Sequence, residues 1–378
     1  MKYVKILVPD DFEETYIADL HGQDRISHYE VFQPTYTKVL DHGYIGLVDF
    51  MGDDASVIRS ARVSYGAGTK KVNTDEAMLR YMMRNQHLTP FESVEMQWHV
   101  KLPIFVARQW IRHRTAQVNE YSGRYSEMTD ERYMPALAQL APQSSTNKQG
   151  RDGDLSENDK LACQTILEHA FEESWTSYKA LLGSGALPDA LNNRRLFCEQ
   201  AALEGIKKIR AEDDQREANG DQRLFPTNWR EEEIDAKIHE YYEANELAIP
   251  GSDFSGLARE LARICLPLST YTQWYWKANL RNTFHFIGLR SDPHAQYEIR
   301  VYSDAMLDMM RPLVPWSVQA FLDYQLQGGK FSRIEMDLIR KTMQSIYSSE
   351  DPTGLADQLT KNGSSKREVT EFLKQVGL

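Results

Sequence analysis

"VEMQWHVKLPIFVARQWIRHRTAQVNEYSGRYSE" spans Val94–Glu127. Its opening residues alternate without a break. Val94, Met96, Trp98, Val100 and Leu102 point one way, and Glu95, Gln97, His99 and Lys101 point the other. A period of two marks a half-buried antiparallel strand, which places His99 on the polar face. Pro103 suits the first turn of a helix. In that helix Ile104, Ala107 and Ile111 are expected to face the core. Gln109, Arg112 and His113, at i, i+3 and i+4, share another face. The helix is expected to fray before Gly123, leaving "VNEYSGRY" (Val118–Tyr125) irregular and able to bend around a ligand.

Working outward, "YIGLVDFMG" (Tyr44–Gly52) reads as a strand and "DDASVIRSARVSYG" as a short helix. A second helix is expected over Thr74–Asn85, capped by Asn73 with Glu76 at the capping-box position. Pro142–Asp159 is polar and loop-like, and Leu161–Leu182 returns to helix. The stretch from about 187 to 255 is charged, with "IRAEDDQREANGDQR" at its centre. Beyond it, Leu257, Leu261 and Ile264 form a helical stripe. "STYTQWYWKAN" (Ser269–Asn279) is rich in β-branched and aromatic residues and reads as a strand. "LRNTFHFIGLR" is a short helix with Arg281 and His285 four apart. Another helix is expected from Asp292 and Pro293 to Met310. Two small helices, split by "SSEDPTG", are expected after Gly329. The fold class is therefore α+β, with mixed helices packed on a largely antiparallel sheet.

Composition narrows the function. The chain has 378 residues and a formal net charge of -11. Against that acidic background, Arg108–Glu127 gathers Arg108, Arg112, His113, Arg114 and Arg124. A nucleic-acid binder shows a broad basic footprint. A local basic cluster in an acidic chain suits a pocket for a small anion such as a nucleotide phosphate, so neither a nucleic-acid nor a membrane partner is expected. No apolar run approaches a membrane span, and the N-terminal apolar stretch is too short for a signal-peptide core. A cytoplasmic location is the default expectation. Cys163, Cys198 and Cys265 are far apart, with no C-x-x-C, so neither a disulfide framework nor a cysteine metal site is expected. "GAGTKK" at Gly66 has the wrong spacing for a phosphate loop.

"RHRTAQVNEYS" contains R-H-R, seven residues, then S, and so resembles the flavin-dependent thymidylate synthases. "HLTPFE" at His87, "PIFVARQW" at Pro103, "NEYSGRYS" at Asn119, "LARICLPL" at Leu261 and "LRSDPHAQYEI" at Leu289 resemble that family's blocks in its order. Together they cover most of Tyr44–Gln325. The resemblance implies methylation of deoxyuridylate (dUMP) to thymidylate (dTMP). Methylenetetrahydrofolate would be the carbon donor, and flavin adenine dinucleotide (FAD), reduced by NADPH, the hydride source. It implies a homotetramer with shared sites. It also implies an N-terminal extension over 1–40, a catalytic domain over 41–327 with a charged helical insertion at about 187–255, and a C-terminal helical extension over 328–378.

By the same resemblance, Ser64, Thr89, Arg112, His113, Arg114, Glu120, Asn279, Arg281 and His285 contact FAD. Gln109, Arg112, Glu120, Ser122, Gly123, Arg124, Arg263 and Arg290 bind dUMP. Arg290 is the catalytic position that polarises uracil, and His294 lies near the folate and flavin end. No metal is expected. The chemistry agrees, because the planar guanidinium matches phosphates and carbonyl edges. Ser122 lacks a base-and-orienter pair and reads as a binding residue, not a nucleophile. Arg108 reads as a structural ion-pair partner. Trp274, Tyr275 and Trp276 read as core packing, although they could stack a pterin. Cys265 reads as a helix core residue. Two alternatives stay open: a relative making another 5-substituted dUMP, such as the hydroxymethyl form, and a non-catalytic nucleotide or RNA binder.

Overall fold

The structure, a computed structural model, describes residues 35–63, 75–146, 148–185, 255–347 and 353–378, with scattered positions between 204 and 240. Ser64, Asn73, Cys198 and most of the expected insertion lie outside the described residues. Two compact units are present. Among the described residues, the first lies within Met1–Leu102, Val106–Glu120 and Thr272–Leu378, and the second within Pro103–Phe105 and Tyr121–Tyr271.

The strands are β1 (Thr35–Val39), β2 (Gly43–Met51), β3 (Glu95–Pro103), β4 (Gln117–Glu120) and β5 (Tyr271–Asn279). They form one sheet in the order β1-β2-β3-β5-β4, and the β1–β2, β2–β3 and β4–β5 ladders are antiparallel. β1 lies within the stretch expected to be an extension. At Gly43 an added Cβ would stand 2.2 Å from the Tyr302 hydroxyl and 2.5 Å from the Val39 carbonyl oxygen, so only glycine fits. The apolar face of β3 is as expected: Val94, Met96, Trp98, Val100 and Leu102 are each at most 1% exposed.

The other face of β3 corrects the sequence reading at His99, which is 3% exposed. Its Nδ1 stands 3.1 Å from the Tyr36 hydroxyl, and its Nε2 stands 3.2 Å from Gln273 Oε1 and 3.3 Å from the Tyr44 hydroxyl. Its ring stacks on Tyr275 at 4.6 Å. Burial pushes its pKa down to about 4, against a hydrogen bond to Gln273 that acts upward. Periodicity reports where a side chain points, not what roofs it.

Helices α1 (Asp54–Val63) and α2 (Asp75–Arg84) precede β3, and α3 (Ile104–Trp110) follows it. Pro103 ends the strand instead of opening the helix, and α3 stops at Trp110. Ile111 is consequently 38% exposed, and Val106, Ala107 and Trp110 are the buried positions. Part of the segment expected to be irregular is β4, paired with β5. In the second unit α4 (Glu157–Leu181) starts earlier than expected, because Ser156 caps it by accepting from the Asp159 amide at 3.1 Å. Tyr178 of α4 packs on Met128 and Ala262. α5 (Arg259–Ala262) is a single short turn, so the expected stripe has no helix to act on. Leu257, Leu261 and Ile264 are 37%, 50% and 76% exposed.

The first unit continues with α6 (Leu280–Arg290), α7 (Tyr297–Met310) and α8 (Pro315–Phe321), then a π-helical turn, Leu322–Leu326. The Asp54 carboxylate caps α8, accepting from the Trp316 amide at 2.8 Å and from the Ser317 amide at 3.1 Å. Burial raises the Asp54 pKa, and hydrogen bonds from Ser317 and Trp316 oppose that rise. The tail holds α9 (Arg333–Ile346), α10 (Thr353–Lys361) and α11 (Lys366–Val376), three helices where two were expected. Trp274 and Trp276 are 2% and 1% exposed, as core packing requires.

Candidate active site

The first unit brings the R-H-R motif to Arg290. Arg112, His113, Arg114 and Thr115 leave α3 and line a cavity of about 590 Å³ with His285, Leu289 and Arg290 from α6. Core aromatics hold this arrangement. Trp110 stacks on Phe286 at 4.4 Å, and Phe286 meets the His113 ring edge-on at 4.9 Å. Arg290 closes α6, where the helix dipole favours a cation. Its Nε donates to His113 Nε2 at 3.1 Å. His113 therefore accepts at Nε2, which puts its own proton on Nδ1. Burial, then the charges of Arg290 and His285, push the His113 pKa down to about 4, so the ring is neutral near pH 7. Burial also lowers the Arg290 pKa.

Charge compensation is what sets this cavity apart. Among the described residues no carboxylate pairs with Arg112, Arg114 or Arg290. Converging guanidinium groups without a counter-ion repel one another, and a bound anion relieves that cost. Because His113 uses only Nε–H, the terminal Nη groups of Arg290 remain for a planar acceptor.

A second cavity in this unit, of about 300 Å³, is lined by Met83, Gln86, Leu88, Phe91, Arg281, Asn282, Phe284, His285 and Gln325. His285 is common to both cavities. Arg281 pairs with Glu92. Asn279 caps α6, its side-chain oxygen accepting from the Asn282 amide at 2.9 Å. Thr89 is exposed at the head of the 3-10 turn Thr89–Ser93. Glu120, at the end of β4, accepts from the Thr272 hydroxyl at 2.8 Å. Gln109 donates to Gln296. His294 is 82% exposed at its side chain and pairs with Asp292. Arg108 is exposed and makes no ion pair among the described residues, contrary to its expected role, because α3 turns it to solvent.

The second unit holds Ser122, Gly123, Arg124 and Arg263. An added Cβ at Gly123 would lie 2.8 Å from Met128 Sδ and 3.4 Å from Arg263 Nη1, so the backbone passes close to that guanidinium. Arg124 Nε stands 3.6 Å from Glu260, both side chains being more than half exposed, which makes a weak pair. The Ser122 hydroxyl accepts from the Arg124 amide at 3.3 Å. Cys265 Sγ lies 3.2 Å from the Ala262 carbonyl oxygen, and burial pushes its thiol pKa up, the opposite of an activated nucleophile. Among the described residues no group of three or more His, Cys, Asp or Glu could hold a metal ion, and no helix is long and apolar enough to cross a membrane.

Sequence reading missed Trp110 and Phe286 as supports of His113, and Gln325 as a cavity wall. Trp110 stands among Ile104, Phe105, Val106 and Ile111, a signal of packing that does not name the partner ring. The first unit thus presents an anion-receptive cavity framed by R-H-R and Arg290. The family profile described as "Thymidylate synthase complementing protein" matches residues 46–316. A flavin-dependent thymidylate synthase of Rickettsia bellii (strain RML369-C) is 39% identical over 329 residues, covering 86% of this chain and 92% of that protein. One from Gluconobacter oxydans (strain 621H) is 40% identical over 318 residues, covering 84% and 82%. The crystal structure of the UMP/dUMP methylase PolB from Streptomyces cacaoi, bound with 5-Br UMP, has the same fold. It aligns at a TM-score of 0.52 and 24% identity, over 76% of this chain and 97% of that one. The chain belongs to the flavin-dependent thymidylate synthase family.

Proposed function

We propose that the protein makes dTMP from dUMP, with methylenetetrahydrofolate as carbon donor and NADPH-reduced FAD as hydride source. The observation that carries the cofactor assignment is the uncompensated cluster Arg112, Arg114 and Arg290 around neutral His113. A pyrophosphate and a uracil edge supply the negative charge and acceptors that this cavity lacks, so the residues fit FAD and dUMP. When bound, the flavin supplies the hydride chemistry. The chain supplies the rest. Arg112 and Arg114 hold anionic oxygens, and His113 sets the orientation of Arg290. Arg290 stabilises negative charge developing on the uracil carbonyl edge, which makes C5 nucleophilic. Ser122, Gly123, Arg124, Arg263, Gln109 and Glu120 are assigned to dUMP binding by family resemblance. Thr89, Asn279, Arg281 and His285 bind the flavin. Of these, Arg281 and His285 line the smaller cavity, whereas Thr89 and Asn279, like Ser64, are assigned to the flavin by family resemblance alone.

Assembly as a homotetramer is part of this proposal, supported by the exposed Leu261, Ile264 and Leu268 in the second unit. With free nucleotide and folate substrates, a cytoplasmic setting is the proposed one. The test is anaerobic incubation with dUMP, methylenetetrahydrofolate, FAD and NADPH, followed by mass spectrometry of the product. A methylated nucleotide is expected. A hydroxymethyl product would replace the methyl assignment. Absence of flavin absorbance and of any product would leave a nucleotide binder.

A further inference from the structure

The C-terminal helix α11 lies beyond the family-matched stretch, yet it reaches into the first unit's machinery. Its Glu368 does two jobs. One carboxylate oxygen accepts from the Ser365 amide at 2.7 Å, completing the helix's own capping box. The other accepts from Arg80 Nε at 2.8 Å and from the Tyr324 hydroxyl. Arg80 also pairs with Asp323 and donates to the Tyr324 hydroxyl at 3.3 Å. The Arg80 and Glu368 side chains are 17% and 13% exposed. Two further contacts flank this knot: Arg84 pairs with Glu371, and the Arg367 guanidinium sits over the Tyr81 ring at 4.0 Å.

Both segments tied by α11 lead directly into the smaller cavity. Asp323 and Tyr324 belong to the π-helical turn, and the next residue, Gln325, lines the cavity. Its Nε2 stands 2.8 Å from Sδ of Met83, another lining residue. On the α2 side, the chain runs from Arg80 and Arg84 to Gln86 and Leu88 in the same wall. Gln86 holds a left-handed backbone, φ 59°, which a non-glycine residue adopts only where its surroundings enforce it. Tyr81, under Arg367, meets His87 edge-on at 5.9 Å. A π-turn costs helix regularity and recurs where a side chain is being aimed.

We propose that α11 is a clamp that sets one wall of this cavity, with Glu368 and Arg80 as positioning residues for Gln325 and Gln86. The link to flavin binding rests on the function proposed above, because Arg281 and His285 share that cavity. The charges suit a clamp. Burial alone would raise the Glu368 pKa, but hydrogen bonds from Tyr324, Ser365 and Arg80 outweigh it and hold the carboxyl at about 2. Burial, and then the bond to Glu368, push the Tyr324 phenol up to about 12. The knot is therefore fully formed throughout the neutral range.

The experiment compares the full chain with Glu368→Ala, and with Glu368→Gln should the alanine variant fail to fold. Hydrogen exchange without ligand reads the clamp directly. Peptides covering 80–88 and 322–327 are expected to exchange faster in the variant, while those of β3 stay unchanged. Titration with FAD is expected to show weaker binding by about tenfold, with the KM for dUMP within about twofold, since a wall displaced by a fraction of an ångström loses fit. A merely structural tail would lower thermal stability without moving either readout. Unchanged exchange in both peptides of a folded variant overturns the clamp. Faster exchange in a protein whose wild-type form binds no flavin upholds the clamp and removes its link to that cofactor.

Discussion

Arg80 and Arg290 are both partly buried guanidinium groups in the same unit, and their surroundings are opposite. Arg80 meets Asp323, Glu368 and Tyr324, which together raise its pKa against the effect of burial. Arg290 donates to the neutral His113 ring, no carboxylate among the described residues pairs with it, and burial lowers its pKa. The first arginine is satisfied by the fold. The second is left for something the fold does not contain. Compensation, more than burial or charge, separates a structural arginine from a binding one.

The largest effect should come from removing the unsatisfied member. Arg290→Ala is expected to lower kcat about a hundredfold or more, as loss of an oxyanion-stabilising donor does. Arg290→Lys should recover only part, since a point charge cannot reproduce the planar fork. Single-turnover oxidation of reduced flavin, with saturating dUMP and folate, isolates that step. A wild-type rate in Arg290→Ala would reduce the residue to a binding role.

Next comes the proton on His113, whose pKa of about 4 without ligand reflects burial and its cationic neighbours. A bound pyrophosphate should pull it back up toward its ordinary 6.5, which NMR of the imidazole would detect. The sign carries over to stability. A depressed histidine contributes a penalty to the folded state as pH falls from 6.5 toward 4, and ligand should relieve it.

Arg80→Ala should cost about 2–3 kcal/mol in chemical denaturation, because it leaves Glu368 and Asp323 without their partner. Arg290→Ala should cost less, about 1 kcal/mol, since it strands the His113 acceptor but no carboxylate among the described residues. Equal losses at the two positions would erase the comparison. Acid should mimic the first change: Glu368 contributes stability above its ordinary 4.5 that is lost as pH falls toward about 2. The smallest effect is expected at Arg124, where Arg124→Ala should raise the KM for dUMP by about tenfold with little change in kcat. A kcat loss matching that of Arg290→Ala would place both residues in the chemical step.

Much of this is legible in the sequence. The apolar face of β3 followed from alternation alone, and β2 and β5 from composition. Arg112, His113, Arg114 and Arg290 were legible as a set because five blocks stood in one order. Where reading failed, the cause was long-range. His99 is roofed by Tyr36 and Tyr275, which are distant in sequence. β4 is too short and too polar to show a period, and only pairing with β5 makes it a strand. The stripe at Leu257, Leu261 and Ile264 kept a helical spacing, but the helix there is a single turn. The Arg80–Glu368 knot joins residues 288 apart, which no local pattern can foretell.

The Asp54 cap carries a consequence for the order of folding. Its carboxylate sits at the start of α1, and the amides it accepts from lie 262 and 263 residues further along. As the chain emerges during synthesis, α1 can form early, yet its buried acid has no partner until Ser317 has been made. Until then Asp54 must stay hydrated, which keeps that end of α1 from sealing against the core. Docking of α8 is thus a late event, with a long loop to close, and slow folding of contacts this distant in sequence is the general rule. A chain arrested before Ser317 would hold all five strands but an unsealed helix, a form suited to capture by a chaperone.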